Sequence, residues 1–224
     1  MRPPAHTRVK ICCMKSIDEV WMAIDAGAAA LGLVSHMPSG PGVISDEAVA
    51  EIAASLPPGV DSFLLTSSQD VEVIAAQQRV AGTRTLQLVD ELPAGAHAGL
   101  RASLPGVKLV QVIHVTGPAS VEQAEEVAPF VDALLLDSGN PALEVKELGG
   151  TGRRHDWELS RQIRKAVDVP LFLAGGLRPD NVREAVETVG PFGLDVCSGL
   201  RSGDGFDLDP DKLERFMAAA RETG

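Results

Sequence analysis

The stretch PLFLAGGLRPDNVREAVETVGPFGLDVCSG (residues 170–199) decides the fold of this 224-residue chain. It begins with a short apolar run, passes two glycines, continues with apolar residues at helical spacing, and ends in a second apolar run. This order predicts a buried strand, a tight turn, a crossover helix and a second strand parallel to the first. Because the same order recurs along the sequence, we expect the whole chain to be built from strand–helix units.

Eight such units can be traced. The predicted strands are residues 8–13, 30–35, 61–66, 85–89, 108–115, 132–138, 170–176 and 193–199. The predicted helices are residues 17–27, 46–55, 69–80, 95–103, 119–128, 156–166, 180–188 and 210–221. Ser16, Ser45 and the pair Pro179–Asp180 are predicted to begin three of these helices, because such residues suit the first turn and its free N–H groups.

The number of units selects between two α/β architectures. An open, doubly wound sheet needs fewer than eight units, whereas eight are what a (β/α)8 TIM barrel requires. Since no linker interrupts the pattern, we predict a single barrel domain over residues 1–224. The segment 138–155 is an unusually long connection, and in a barrel it would lie on the carboxyl-terminal face, where active sites are built.

Composition excludes several classes of partner. Apolar residues make up 45% of the chain, enough for a packed core, and the net charge is -11 without any cluster of Lys and Arg. Such a charge argues against nucleic acid or an anionic membrane as the main partner. The amino-terminal MRPPAHTR is not followed by an apolar segment, and no window is long enough to span a bilayer. A soluble, cytoplasmic protein is expected.

The sequence has three cysteines, the neighbours Cys12 and Cys13 and the distant Cys197. Neighbours on a strand point to opposite faces, so a bridge between Cys12 and Cys13 is not expected. Three cysteines do not form a secreted disulfide framework, and their spacing does not suggest zinc. We therefore expect neither a structural disulfide nor a metal site. One of the neighbours could be a buried packing residue, and the other a thiolate at the mouth of a site.

Two glycine-containing turns follow the last two predicted strands. Gly175 and Gly176 end the seventh strand, and Ser198 and Gly199 end the eighth. Either turn alone could contain glycine merely to close tightly. Both together are typical of the phosphate site of (β/α)8 barrels, where backbone N–H groups approach an anion. A phosphorylated small molecule is therefore the predicted ligand class.

Two side chains at strand ends could transfer protons. Asp137 follows three leucines, so partial desolvation would raise its pKa and suit it to act as an acid. Cys12 ends the first strand and could act as a base if its pKa were lowered. The alternatives are an N-cap or salt bridge for Asp137 and simple packing for Cys12.

Taken in order, five segments resemble the phosphoribosylanthranilate isomerase family of tryptophan biosynthesis. They are VKIC (9–12) with SIDEVWMAIDAGAAALGLV (16–34), LLLDS (134–138), GGTGRRHDW (149–157), LAGGLRPDNV (173–182) and PFGLDVCSGLR (191–201). The resemblance extends nearly from end to end, and it is the ordered set of segments that identifies the family. It implies the barrel fold and an Amadori rearrangement of N-(5-phosphoribosyl)anthranilate that needs neither cofactor nor metal.

The resemblance also implies roles for ten residues. Cys12 would be the general base and Asp137 the general acid. The phosphate would be bound by Gly175, Gly176, Ser198 and Gly199. Gly150, Thr151 and Gly152 would form a flexible cover, and Asp195 would contact the substrate, although it could instead be a structural residue at the end of its strand.

Three positions depart from the family pattern. Cys13 stands where the family usually has glycine, and we expect its side chain to be a packing residue on the opposite face of the strand from Cys12. Gly42 stands at the position of the arginine that binds the anthranilate carboxylate, and Val89 at that of a histidine. Losing that arginine would cost about two decades of affinity. Arg153, Arg154 or Lys15 could supply the missing cation, or could be ordinary exposed charges.

These departures concern only the aryl end of the substrate. They leave three interpretations: a phosphoribosylanthranilate isomerase with altered carboxylate recognition, a paralogue acting on another phosphorylated sugar derivative, and a non-catalytic protein that binds a phosphorylated metabolite. The first is favoured because Cys12 and Asp137 are both present. The family contains monomers and dimers, so either a monomer or a homodimer is expected.

Overall fold

A computed structural model describes residues 7–223 of the chain; MRPPAH, considered above as part of a possible leader, and Gly224 lie outside the described residues. Eight parallel strands form a closed barrel in chain order. They are β1 (Arg8–Ile11), β2 (Ala30–Val34), β3 (Asp61–Thr66), β4 (Thr85–Leu88), β5 (Lys108–His114), β6 (Ala133–Asp137), β7 (Leu171–Leu173) and β8 (Gly193–Val196). The barrel closes where β1 pairs with β8, Lys10 lying beside Asp195 and Ile11 beside Val196.

A helix follows each strand. The helices are α1 (Ile17–Asp25), α2 (Asp46–Ser55), α3 (Val71–Ala81), α4 (Ala96–Ser103), α5 (Ala119–Val127), α6 (Trp157–Ala166), α7 (Val182–Val189) and α8 (Pro210–Arg221). The predicted caps Ser16 and Ser45 are confirmed, since their hydroxyls accept the N–H groups of Glu19 and Ala48. The predicted start of α7 at Pro179–Asp180 is wrong, because Asn181 precedes the helix and donates instead to the Gly176 carbonyl at 2.9 Å.

The predicted (β/α)8 barrel is confirmed, but most strands are shorter than predicted. β1 ends at Ile11, β7 at Leu173 and β8 at Val196, because pairing with the neighbouring strands stops there and the chain turns away. Sequence reasoning also missed a small antiparallel pair after β8, formed by β9 (Arg201–Ser202) and β10 (Asp207–Leu208). As a result, several predicted site residues lie just beyond the strands rather than on them.

The core has two layers. One layer fills the space between the strands and the surrounding helices, and the other fills the inside of the barrel. Phe63 and Phe172 meet edge to face in the inner layer, with ring centroids 5.9 Å apart. The inner layer supports a cavity at the carboxyl ends of the strands. Between residues 7 and 223 no helix has the length and apolar character that a membrane span requires.

Candidate active site

The structure brings the ten predicted site residues together around one cavity at the carboxyl ends of the strands. Its lining includes Cys12, Asp137, Gly150, Thr151, Gly152, Gly175, Gly176, Asp195, Ser198 and Gly199. They come from four separate segments of the chain, at the ends of β1, β6, β7 and β8. The barrel closes these segments into a ring, so residues up to 187 positions apart in sequence share one cavity.

Asp137 is the last residue of β6 and is buried. The backbone N–H of Ser138 donates to its Oδ1 at 2.7 Å, which favours the charged form. Burial outweighs this hydrogen bond and the nearby His114, so the pKa of Asp137 is raised; Asp195 raises it further. The shift has the direction and the cause that the sequence predicted. A protonated carboxyl group at this position can donate a proton into the cavity.

Cys12 lies one residue beyond β1, with its thiol buried beside the cavity. Burial raises the pKa of the Cys12 thiol to about 11, although the nearby Lys10 ammonium lowers it. The sequence suggested Cys12 as a base only if the pKa of its thiol were lowered. In the ligand-free protein this condition is not met. At neutral pH the thiol is protonated, and it can act as a base only after losing its proton.

Lys10 is a residue that sequence reasoning missed. Its side chain is fully buried inside the barrel, where Nζ lies 2.8 Å from Oδ1 of Asp195 and above the ring of Phe63. The sequence does contain a signal for it. Lys10 lies two positions before Cys12 in an otherwise apolar run, so the two side chains share the inward face of the strand. A lysine at an inward position of a buried strand calls for a partner of opposite charge.

The turn after β7 agrees with the first explanation offered by the sequence, tight closure, and the phosphate site stays a prediction. Gly175 and Gly176 have φ angles of +81° and +64°, which favour glycine. A Cβ atom at Gly176 would also lie 2.7 Å from the backbone nitrogen of Arg154, so the long loop after β6 needs glycine there to approach. The same two glycines therefore allow both the tight turn after β7 and the close approach of the loop after β6.

The loop after β6 passes over the cavity. A Cβ atom at Gly150 would lie 2.9 Å from Cδ of Pro41, and one at Gly152 would lie 3.1 Å from the Ser198 hydroxyl. The Thr151 hydroxyl is 2.8 Å from that of Ser138. The segment Gly150–Thr151–Gly152 thus spans from the acid side of the cavity to the predicted phosphate side, in the place expected for a cover.

Cys13 is buried in the inner layer of the core, as expected for a packing residue, but not on the face of the strand that the sequence predicted. It has a left-handed conformation, with φ of +65°, which turns its side chain toward the cavity instead of the opposite face of the strand. There it forms a disulfide with Cys197, whose Cα atom is 6.2 Å away, and Cys12 remains free. The expectation of no disulfide is therefore wrong. That expectation was based on a bridge between the neighbours Cys12 and Cys13. The closure of β1 on β8 instead brings Cys13 and Cys197 together.

Cys13 also explains Gly42. A Cβ atom at position 42 would lie 2.5 Å from Cβ of Cys13, and Gly42 itself has a φ of +81°. No side chain fits at position 42 while Cys13 occupies this space. The two departures from the family pattern, noted separately in the sequence, therefore lie in direct contact.

The three candidate cations lie outside the lining of the cavity. Lys15 pairs with Asp207 at 2.7 Å, and Arg153 pairs with Glu147. Arg154 pairs with Glu184 and stacks over the ring of Trp157. Each is already neutralised by a carboxylate, and no Lys or Arg among residues 7–223 lines the cavity.

The wall opposite the glycine turns is apolar. It is formed by residues at the ends of β2 to β4, namely Val34, Met37, Leu65 and Val89. Gln87 is the polar exception, a buried residue whose side-chain Oε1 has no hydrogen-bond partner. An aromatic ring would fit against this wall, with Gln87 offering its amide to a polar group of the ligand.

Comparison with known proteins identifies the family of the chain. A family model described as N-(5'-phosphoribosyl)anthranilate (PRA) isomerase matches residues 9–219. The chain belongs to this family. The N-(5'-phosphoribosyl)anthranilate isomerase of Haloferax volcanii is 39% identical over 216 residues, covering 96% of this chain and 93% of the relative. The N-(5'-phosphoribosyl)anthranilate isomerase 2 of Methanosarcina mazei is 34% identical over 215 residues, covering 96% and 94%.

Solved phosphoribosylanthranilate isomerases share the fold. The crystal structure of the Thermotoga maritima protein superposes with a TM-score of 0.83 at 29% identity, covering 96% of this chain and 99% of that one. A phosphoribosylanthranilate isomerase in complex with reduced 1-(o-carboxyphenylamino)-1-deoxyribulose 5-phosphate gives a TM-score of 0.80 at 27% identity, with the same coverage. The family resemblance inferred from the five sequence segments is confirmed.

Proposed function

We propose that the cavity isomerises N-(5'-phosphoribosyl)anthranilate to 1-(2-carboxyphenylamino)-1-deoxyribulose 5-phosphate, with Asp137 as general acid and Cys12 as general base. The observation that carries this proposal is the convergence of a protonatable carboxyl, a thiol and two glycine turns on one cavity. The reaction is an internal aldose–ketose rearrangement in which protons are moved, so two proton-transfer groups and a phosphate anchor meet its requirements.

In the first step Asp137 gives its proton to the ribose ring oxygen. The bond between C1 and the ring oxygen breaks, and the anthranilate nitrogen forms a Schiff base with C1. The raised pKa of Asp137 keeps the proton available at higher pH than for an exposed aspartate. His114, which neighbours Asp137 across the pairing of β5 and β6, limits that rise.

In the second step Cys12, as the thiolate, removes the proton from C2 of the ribose. The electrons of the C–H bond move into the C1–C2 bond and neutralise the Schiff-base nitrogen, giving an enolamine. Tautomerisation of the enolamine gives the ketose product. Because Cys12 directly follows β1 and Asp137 ends β6, they can approach the sugar from different sides.

The remaining residues bind the substrate in this proposal. Gly175, Gly176, Ser198 and Gly199 hold the phosphate through backbone N–H groups and the serine hydroxyl. The segment Gly150–Thr151–Gly152 covers the bound sugar and excludes water. Asp195 contacts the substrate from the end of β8, where it also binds Lys10. The aryl group lies against the apolar wall.

The test is the loss of anthranilate fluorescence when the purified protein is added to freshly made phosphoribosylanthranilate. Turnover is expected for the wild type and is expected to disappear in Cys12→Ser and Asp137→Asn. Asp132→Asn is a matched control, because Asp132 precedes the opposite end of β6 and pairs there with Arg101. Full turnover by either site variant would contradict its assigned role, and no turnover by the folded wild type would contradict the function.

The pH dependence of the rate provides a second test of the same roles. An essential acid and an essential base give a bell-shaped profile, whose limbs belong to the coupled system. A rate that stays constant across both limbs would contradict the acid–base assignment. The alkaline limb should reflect the high pKa of Cys12.

A second candidate function rests on the cavity lining, which has no Lys or Arg from the part of the chain that the structure describes. In this alternative the substrate is another phosphoribosyl derivative, whose aryl or alkyl group lacks a carboxylate. Comparing N-phosphoribosylaniline with N-phosphoribosylanthranilate separates the two. A cation recruited to the carboxylate would make kcat/KM about a hundredfold higher for the anthranilate derivative. A ratio near one or below would favour the alternative.

A cytoplasmic location and a monomeric or homodimeric state complete the proposal. The proposed substrate is a phosphorylated metabolite of amino-acid biosynthesis, which supports the location. Light scattering during size-exclusion chromatography would distinguish monomer from dimer, and fractionation of the source cells would test the location.

A further inference from the structure

We propose that Lys10 is a positioning residue that sets the proton affinity of Cys12 through its buried ammonium group. The inference rests on the proposed role of Cys12 as the base and adds the group that opposes the effect of burial on its thiol. Lys10 does not line the cavity, so it acts through Cys12 and not on the substrate.

Three observations place the ammonium next to the thiol. A Cβ atom at Gly32 of β2 would lie 2.7 Å from Sγ of Cys12 and 2.9 Å from Nζ of Lys10. The two groups therefore converge on the small space that glycine leaves open on β2. Asp195 holds Nζ there at 2.8 Å from the other side. The burial of Lys10 is complete, so water does not screen its charge.

Folding alone does not account for this ion pair. Replacing a buried ion pair by packed apolar residues is often neutral or stabilising, since both charges lose their hydration. The barrel interior around Lys10 is otherwise suited to apolar side chains, such as that of Phe63. The ammonium group of Lys10 lies at this depth beside the thiol of Cys12, whose ionisation the proposed reaction needs. Its role is therefore to favour ionisation of that thiol.

The charged groups facing Cys12 come from two elements besides β1. Asp195 on β8 opposes the thiolate, and Arg201 on β9 favours it. Arg201 donates to the carbonyl groups of Cys12 and Cys13, at 3.1 and 2.6 Å, and is paired with Glu19 of α1. Its charge is thus largely neutralised by a carboxylate. Lys10 remains the cation with the strongest effect on Cys12.

The experiment measures how the rate of Cys12 alkylation by iodoacetamide depends on pH in the ligand-free enzyme. Only the thiolate reacts, so the midpoint of the profile reports the pKa of Cys12. Mass spectrometry locates the label, with Cys12→Ser as the reference. Lys10→Gln and Lys10→Met remove the charge, Lys10→Arg keeps a cation, and Lys108→Gln replaces an exposed lysine on β5 as the matched control.

Both neutral variants are expected to slow alkylation of Cys12 at neutral pH about ten- to a thousandfold, because the midpoint moves to higher pH when the cation is removed. Lys10→Arg is expected to retain most of the wild-type profile, and Lys108→Gln all of it. A merely structural role would lower the melting temperature without moving the midpoint. An unchanged midpoint in Lys10→Gln or Lys10→Met, with native circular dichroism, would overturn the proposal.

A double variant covers the case in which the single variants fail to fold. Lys10→Gln with Asp195→Asn leaves no unpaired buried charge, so folding should be retained. Because Lys10 affects Cys12 more strongly than Asp195 does, the midpoint should still rise, by less than in Lys10→Gln alone. An unchanged or lowered midpoint would overturn the proposal. These measurements need no substrate, so they remain decisive even if the wild type fails to isomerise phosphoribosylanthranilate.

Discussion

Replacing Gly42 by alanine is expected to destabilise the protein much more when residue 13 is cysteine than when it is glycine. In the wild type the new methyl group would lie 2.5 Å from Cβ and 3.1 Å from Cα of Cys13. Neither atom is the end of a flexible side chain, so the backbone of one loop must move. In the Cys13→Gly background the atom in closest contact is absent.

The magnitude follows from two separate costs. Holding alanine at the φ of +81° found at Gly42 costs about 1–3 kcal/mol, and this cost is the same in both backgrounds. Forcing the methyl group against Cys13 costs about 1–3 kcal/mol more, as for other overpacked sites. The coupling energy between the two substitutions should therefore be about 1–3 kcal/mol, within the range measured for residues in contact.

The assay is a double-mutant cycle of urea-induced unfolding. All four proteins should carry Cys197→Ser, because Cys13→Gly would otherwise also remove the disulfide. Gly40→Ala is the matched control, since Gly40 has a φ of +102° but a Cβ atom there would come no closer than 3.7 Å to its neighbours. Gly40→Ala should show only the cost of holding alanine at a positive φ angle, and this cost should not depend on the residue at position 13. Additive costs for positions 42 and 13 would refute the packing argument.

Three further results are expected. Asp137→Asn should abolish isomerisation. It should also raise the melting temperature at neutral pH, because burial raises the pKa of Asp137 and so disfavours its charged form. This gain in melting temperature should vanish in thermal melts below pH 3.8, where an ordinary aspartate is protonated. Gln87→Leu should raise the free energy of unfolding by about 1–3 kcal/mol, since it removes a buried amide oxygen without a partner, and should raise KM. His155 has a pKa lowered by burial to about 4, so the wild type should lose up to about 3 kcal/mol of stability as the pH falls from 6.5 to 4. Urea unfolding at the two pH values should show a smaller loss in His155→Gln, and an equal loss would contradict the argument.

The sequence was sufficient for the order and type of the elements. Apolar runs such as 61–66 and helical periods such as 46–55 are local signals, and both elements have the predicted bounds. The ends of β1, β7 and β8 were predicted too late because strand length depends on pairing with neighbours distant in sequence. The start of α7 was misplaced because Asn181 bonds back to the Gly176 carbonyl, an arrangement that residue preferences do not reveal.

The site was predictable where topology alone places a residue. Strand ends meet in a barrel, so Asp137 and the glycine turns were bound to lie near one another once the fold was known. Lys10 was missed because motif comparison directs attention to the ends of strands, whereas Lys10 lies within one. The disulfide was missed because it depends on closure of β1 on β8 and on the left-handed conformation of Cys13. Neither feature leaves a periodic signal in the sequence.

The proposed order of the two proton transfers agrees with the direction in which burial shifts the pKa values of Cys12 and Asp137. In the ligand-free site the pKa of Cys12 is about 11, so the resting enzyme holds a thiol, while the raised pKa of Asp137 favours a carboxylic acid. The base therefore needs a change in its surroundings before it can act. Protonation of the ring oxygen then creates a Schiff base whose positive nitrogen is bonded to C1, next to the C2 proton that Cys12 must remove. A cation so close to Cys12 lowers the pKa of its thiol, as Lys10 already does from within the barrel. We therefore expect ring opening to generate the charge that makes the base effective, so that a substrate analogue with a neutral nitrogen should leave Cys12 protonated at neutral pH.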